Sequence, residues 1–430
     1  MNKEIIKRKK PINTKIFYGW VIVIIGAIGA FFSGPGQTYS VSIFINHYVE
    51  DFGWSRSMVS SYYSIATLIA GFALPIVGRA IDKKGHRKLI SFISVLLGLV
   101  CLWMSFVRTP AMLAFGFIFL RLFGQGSMSL MPETLIPLWF VDRRAKAISL
   151  MAIGKVISSA LLPPLNTWLI SNLSVGFTWL VWAVLLIAFM APLGWVLVVD
   201  KPEDIGEKVD GGLDLDYQRP DIKYKAKVDL CEYSWTVKEA TKTKAFWFML
   251  FCIMIPAMVN TGVTFHMVSI IDQKGYSPIF AAFILSLMAI VQLPVTFFAG
   301  FILDKVKVHH AKAVSFAVYL LAMFILLYSQ SEAMLILYGL IQGAFLAFDA
   351  VSNGVLWPNY FGIEHLGSIR SFTMVAIVIG SSLGPLPFGF AYDLLGGYQE
   401  ILLFMMIFIA LAIFASFFAP APKPPENTCI

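Results

Sequence analysis

Charge is what this chain has least of. Only 13% of its 430 residues are Asp, Glu, Lys or Arg, whereas a soluble protein carries about a quarter. A soluble multidomain enzyme of this length needs long polar surfaces, so that class is excluded. Disorder is excluded as well, because it requires low hydrophobicity with high charge. Cysteine is nearly as scarce: Cys101 and Cys252 fall inside apolar runs, Cys231 and Cys429 outside them. That distribution gives no disulfide framework and no metal-ligand spacing. Cys429 is next to last, so no prenylation motif forms. A glycine–lysine phosphate loop is missing, and so is any serine–histidine or cysteine–histidine set. The chain is therefore expected not to be an enzyme and to need no cofactor.

Hydrocarbon dominates what remains. Hydrophobic residues make up 58% of the chain and the mean hydropathy is +0.77. A helix needs about 20 mostly apolar residues to cross a bilayer. Twelve such runs occur: 17–46, 58–79, 89–107, 111–140, 145–170 and 177–199, then 245–271, 278–303, 311–328, 333–357, 367–392 and 398–419. A transmembrane barrel would alternate apolar and polar residues over about ten positions. Residues 181–192 are apolar on every side, so helices are expected.

Lysine and arginine set the orientation. The amino-terminal tail, the even-numbered connections and the carboxy-terminal tail hold 28 of the 33 basic residues, with Lys312 at the start of the ninth run included. The odd-numbered connections hold only Arg56, Arg108 and Lys274. Both termini are thus expected in the cytoplasm. Topogenic charge accounts for the net charge of +8 without a nucleic-acid partner. The first run is too long for a signal-peptide core and no small-residue cleavage site follows, so it is read as retained.

The stretch 200–244 is the only long connection, and it divides the runs six and six. The expected domains are a six-helix half over 1–199, a cytoplasmic linker over 200–244, a second half over 245–419 and a tail over 420–430. Thr236-Val-Lys-Glu239 has the capping-box pattern, predicting a helix that continues into the seventh span, with the rest of the linker flexible. An internal repeat supports the division. Gly78-Arg-Ala-Ile-Asp82 returns 222 positions later as Gly300-Phe-Ile-Leu-Asp304, and Trp139-Phe140 returns 221 positions later as Tyr360-Phe361. Two pseudo-symmetric six-helix halves with substrate held between them near the midplane form a transporter plan. The expected fold class is an all-α membrane protein.

Residues 78–88, Gly-Arg-Ala-Ile-Asp-Lys-Lys-Gly-His-Arg-Lys, resemble the signature between spans two and three of the major facilitator superfamily. The resemblance implies a cytoplasmic gate built from Gly78, Asp82, Gly85 and Arg87, with Asp304 in a degraded second copy. Arg121-Leu-Phe-Gly-Gln-Gly126 resembles the superfamily's arginine motif in span four, with altered glycine spacing. Tyr18-Gly-Trp20, Phe52-Gly-Trp-Ser-Arg56, Trp139-Phe140 with Arg143-Arg144, Pro202-Glu-Asp-Ile-Gly206, Glu239-Ala240 with Phe246-Trp247, and Leu366-Gly-Ser-Ile-Arg370 look like a bacterial subgroup. That subgroup is related to monocarboxylate porters and oxalate–formate antiporters. Those families carry a basic residue in span eight, and residues 278–303 here contain none. A lactate-like or oxalate-like assignment therefore does not carry over.

An ionisable side chain deep in a span costs several kcal/mol, so each one is a functional candidate. Arg121 cannot lose its proton and must be paired or face water. It is either a holder of substrate carboxylate or a structural hub. Glu133 and Lys155 flank the hairpin at 142–144 at depths of roughly 15 and 18 Å, which predicts a pair between spans four and five beside the cavity, either structural or releasing Lys155 to an anion when Glu133 protonates. Asp349 is the only acid well inside the second half, a candidate proton carrier or a structural acid bonded to Asn353 one turn away. His266 is a candidate sensor of outside acidity or a packing residue. Gln37, Tyr39, Asn260 and Gln292 are candidate cavity-lining groups. Gly34-Pro35-Gly36 is placed to break span one and free backbone groups.

The expectation is a secondary transporter in the plasma (bacterial inner) membrane, functional as a monomer. It moves a small-molecule substrate across the lipid bilayer, with an organic anion (a carboxylate) as cargo, coupled to H+ or moved by exchange. Export of an amphipathic drug or metabolite is the alternative transport reading, and a solute sensor signalling through residues 200–244 is the non-transport one.

Overall fold

The computed structural model describes residues 10–12, 14, 16–140, 143–211, 234–303, 306–362 and 366–422. Twelve of its helices are long and apolar enough to cross a membrane. Among the described residues there is no β-strand. The spans run Gly19–Phe52, Arg56–Ile81, His86–Ser105, Pro110–Trp139, Lys146–Asn172 and Val175–Leu197, then Lys244–Phe265, Pro278–Ala299, Val308–Tyr328, Glu332–Phe361, Phe372–Leu395 and Gln399–Phe417. All twelve predicted runs are present.

The ends differ where polar residues extend a helix. The first apolar run stops near residue 46, but the helix Thr38–Phe52 continues through residues 47–52 until Gly53, at φ +65°, closes it. Five spans open at the edge poor in lysine and arginine on a side-chain cap. Ser55, Thr109, Ser174, Ser277 and Ser331 each accept from a backbone N–H three residues on, at 3.1–3.4 Å. The seventh span departs most from expectation. Its helix ends at Phe265, His266 adopts φ −97° and ψ 8°, and a short helix Met267–Asp272 follows.

Packing divides the chain into two compact units. One comprises Met1–Asp214 with Thr264–Ser286, the other Leu215–Val263 with Leu287–Ile430. This differs from a simple division at 200–244. Thr264–Ser286 joins the first unit through specific contacts: Phe265 lies 4.4 Å from the Tyr63 ring, and Ser286 donates to the Ala160 carbonyl at 2.6 Å.

The repeat has a structural counterpart inside each unit. Trp139 Nε1 donates to the Val199 carbonyl at 3.1 Å in the first. Tyr360 Oη donates to the Ala419 carbonyl at 2.8 Å in the second. Each bond ties the basic-edge end of a half's fourth helix to the chain just past its sixth. Aromatic neighbours reinforce both ties, with Phe17 and Trp20 on Phe140, and Phe246 and Trp357 on Phe361.

The connection after the sixth span is not the flexible linker expected over its described part. Asp200 accepts from the Arg87 backbone N–H at 2.9 Å. Glu207 takes hydrogen bonds from Lys10 at 2.5 Å and from the Tyr18 backbone at 3.0 Å. Gly211 sits against the Phe17 ring and Asp210 is buried. The acidic side chains explain the docking, because the edge they meet is basic. The Thr236–Glu239 capping box forms as expected, but its helix stops at Ala240 and a separate helix starts at Lys244.

Candidate functional site

In the first unit the candidates converge where two irregular backbones meet. Span one is interrupted by a 3-10 turn at Gly34–Gly36, and span four is widened into π-helix over Leu120–Met128. Gly36 and Gly124 make this contact possible. A Cβ on Gly36 would stand 2.2 Å from the Leu120 carbonyl, and one on Gly124 would stand 2.7 Å from the Gly36 Cα. The close approach places the Gly36 carbonyl beside Arg121. Gly124→Ala should therefore force the spans apart and cost about 1–3 kcal/mol. The expected readout is a lowered unfolding temperature with a larger proportional loss of transport, and an unchanged transport rate would refute the role of this contact.

Arg121 is 2% exposed. It donates to the Gly36 carbonyl at 3.4 Å and to Thr38 Oγ1 at 3.3 Å, and its guanidinium carbon lies 4.8 Å from the Tyr63 ring centre. Both hydrogen bonds are long against the 2.7–2.9 Å usual for charge-assisted contacts. Its Nε has no partner, and no carboxylate lies within 4.0 Å among the described residues. A guanidinium carries five N–H donors in a fork shaped for a carboxylate. Here that fork is buried and charged: the Gly36 carbonyl, Thr38 and the Tyr63 side chain take hydrogen bonds from it, and Nε donates none.

The surroundings are held rigidly. Tyr63 donates to Thr38 at 2.8 Å, and its ring is enclosed by Phe117 at 5.4 Å and Phe265 at 4.4 Å. Gln37 donates to Ser33 and Ser129 at 3.1 Å. Tyr39 donates to Ser158 at 2.9 Å, which passes the bond on to the Phe31 carbonyl at 2.8 Å. Gln37 and Tyr39 thus brace spans one, four and five around Arg121. His266, 1% exposed, shares a 3.1 Å hydrogen bond with Ser60.

Glu133 and Lys155 require a correction. Both are exposed, and neither has an ion pair or hydrogen bond among the described residues. Counting residues from the hairpin gave their level in the membrane but not the direction in which each points. Lys155 lies roughly 200° around its helix from both Ile153 and Ile157. Those two line an apolar cavity of about 710 Å³, together with Trp20, Ile24, Phe31 and Phe189. No ionisable group lines it, so its chemistry suits hydrocarbon rather than an anion.

The second unit contains what sequence reasoning missed. Lys312, counted with the basic edge, is fully buried, and its Nζ donates to Asp349 Oδ1 at 2.7 Å. Asn353 Nδ2 donates to the other carboxylate oxygen at 2.9 Å, the pairing considered as the structural alternative for Asp349. Counting depths across the hairpin between Tyr328 and Glu332 would have found it. Lys312 is sixteen residues before that turn and Asp349 seventeen after it. Gln342 Nε2 donates to Asn260 at 3.3 Å, while Gln292 bonds only the Met288 carbonyl of its own helix, also at 3.3 Å.

The gate signature is described in part. Gly85 has φ +79°, and a Cβ there would meet the Asp200 carboxylate at 2.6 Å. Arg87 Nε donates to the Trp195 carbonyl at 2.6 Å and its guanidinium covers the Trp195 ring at 4.7 Å. Gly78 has open space where a Cβ would be, so no close helix approach explains it among the described residues. The Asp82 side chain and all of Asp304 lie outside the described residues.

The sequence model of the Major Facilitator Superfamily matches residues 26–330. Monocarboxylate transporter 13 of Bos taurus is 25% identical over 440 residues, spanning 95% of this chain and 93% of that protein. Monocarboxylate transporter 13 of Rattus norvegicus is 24% identical over 402 residues, spanning 89% and 84%. Among solved structures, a point mutant of the nucleoside transporter NupG superposes with a TM-score of 0.71 at 14% identity, covering 92% of this chain and 98% of that one. A bacterial homolog of the human lysosomal transporter Spinster, inward-facing and unoccupied, gives 0.70 at 14% identity, covering 95% and 98%. These structures show a shared fold.

Proposed function

Because this chain belongs to the Major Facilitator Superfamily, we propose that it is a secondary transporter of a small organic anion of the monocarboxylate class, driven by protons. The observation that carries the reading is Arg121, a buried cation with no acid beside it among the described residues. A permanent charge away from water is costly unless something pairs with it, and a substrate carboxylate would supply the missing partner. The names of the similar proteins, transporters of monocarboxylates, agree in substrate class. In this reading Arg121 replaces the cation that span eight lacks.

Asp349 is the proposed proton carrier. Protonation would cancel its charge and release Lys312, so the pair has two electrostatic states. The Lys312 contact also argues against Asp349 as the anchor for a cationic drug, since its charge is already matched. The docking of residues 200–211 on the first unit gives no support to a free signalling loop. The basic edge is assigned to the cytoplasm of a bacterial cell, with both termini on that side and the monomer as the working unit.

Purified protein in proteoliposomes tests the proposal. On a solid-supported membrane, jumps of short monocarboxylates should give a saturable current that grows at mildly acidic outside pH. An electroneutral cycle would instead acidify an entrapped pH dye. Silence in both assays across mono- and dicarboxylates would reject the anion reading.

A further inference from the structure

Spans nine and ten of the second unit carry polar groups that neither substrate binding nor the Lys312–Asp349 pair uses. Tyr338, Gln342, Phe345, Asp349 and Ser352 recur every three or four residues, which puts them on one buried face of span ten. Span nine answers with Lys312 on Asp349 and with Tyr319, whose ring stacks on Phe345 at 4.0 Å. Tyr319 and Tyr338 are fully buried and Gln342 is 1% exposed. Even so, Tyr338 Oη and Asn353 Oδ1 have no hydrogen-bond partner among the described residues, and Tyr319 Oη and Gln342 Oε1 have none beyond the contact of their two side chains, which is not a close hydrogen bond.

One unpartnered buried oxygen is a local irregularity. Four that lack a close partner along a single helix-helix seam form a pattern. Buried polar atoms are almost always satisfied, and where protein supplies no partner an ordered water does. From Tyr338 to Asn353 is fifteen residues of helix, or roughly 22 Å. Asp349 lies toward one end of that stretch and Tyr338 toward the edge poor in lysine and arginine.

We propose that this seam holds a file of internal waters that delivers protons between the lysine-poor face of the membrane and Asp349. Each hydroxyl or amide oxygen supplies a fixed acceptor for one water, and each tyrosine hydroxyl also donates. A proton enters as hydronium and is passed along by breaking one water O–H bond as the next forms. The last transfer forms an O–H bond on an Asp349 carboxylate oxygen, while Lys312 keeps its own protons and loses its ionic partner. The inference rests on the proton-driven reading above, and it adds the route.

Two measurements test it on the full-length protein in nanodiscs and proteoliposomes. Pulsed hydroxyl-radical footprinting oxidises side chains that touch bound water. Tyr319 and Tyr338 should label at least fivefold faster than Tyr63, which is equally buried but hydrogen-bonded. Tyr338→Phe and Tyr319→Phe keep the ring packing and remove only the hydroxyl. Either should slow pH-driven uptake about tenfold while substrate counterflow stays within twofold. Labelling at the level of Tyr63, or full pH-driven uptake in both variants, overturns the water file. Wild-type protein that labels and exchanges substrate but shows no pH-driven uptake overturns the proton-driven reading, and with it the delivery of protons, leaving only bound water.

Discussion

Arg121→Gln is expected to abolish anion transport without destabilising the protein. Taking away one partner of a buried charge pair costs about 3–5 kcal/mol, because the other is left desolvated and unmatched. Against a substrate carboxylate this predicts a loss of two to three orders of magnitude or more in apparent affinity, at about 1.4 kcal/mol per tenfold. Arg121→Lys keeps the charge but not the planar fork, so it should recover only part of the loss. Stability should move the other way. Arg121 is a buried charge making two long hydrogen bonds, to Gly36 and Thr38, and a contact with Tyr63 through both its ring and its hydroxyl. Removing it relieves a desolvation cost, so the unfolding temperature should hold or rise. A structural hub predicts the reverse, a clear drop in unfolding temperature. Thermal unfolding beside counterflow distinguishes the two, and a destabilised variant that still transports would exclude Arg121 from substrate binding.

The second large effect is at the buried pair in the other unit. Asp349→Asn leaves the Lys312 ammonium fully buried and unmatched, so it should destabilise the protein by about 3–5 kcal/mol. Replacing both partners with apolar residues of similar size, as in Lys312→Met with Asp349→Leu, should return stability to within about 1 kcal/mol of the parent, since buried ion pairs and good apolar packing are often nearly equivalent. Proton-driven accumulation should not return with it, whereas exchange of labelled for unlabelled substrate should persist. If the double variant still concentrates substrate along a pH gradient, Asp349 is not the proton carrier. The double variant is needed because the single one confounds folding with coupling.

Membrane architecture was almost fully legible in the sequence, because it depends on length and composition. Twelve apolar runs gave twelve spans. The repeat of Trp139-Phe140 as Tyr360-Phe361 marked real, matching ties within each half. Side-chain pairing was legible only in part. The same depth arithmetic that wrongly joined Glu133 to Lys155 would have correctly joined Lys312 to Asp349. Residue counts across a hairpin fix a level along the membrane normal, but two groups at one level meet only if both helices turn them toward each other. Lys312 and Asp349 lie on buried faces, while Glu133 and Lys155 lie on exposed ones. The docking of residues 200–211 was hidden for another reason. Its composition is that of a linker, and only the positions of Tyr18, Arg87 and Lys10 make partners of Asp200 and Glu207. Arg121 itself was visible, but its lack of an acid partner among the described residues was not, because absence of a contact is a property of three dimensions.

The widened turn at Leu120–Met128 makes the site depend on number as well as identity. A π-helical segment amounts to one residue more than a regular helix would hold, and such bulges collect at functional positions. Shortening the stretch between Arg121 and Ser129 by a single residue would let span four close into an unbroken α-helix, with every backbone bond made. It would also swing Arg121 by roughly 100° relative to the lower half of the same helix. The guanidinium would leave Thr38 and Tyr63 although no residue touching it had changed. In a lineage of such proteins, one lost codon here would retire the proposed anion site while keeping a well-folded membrane protein, so alignment gaps at this place would carry functional meaning.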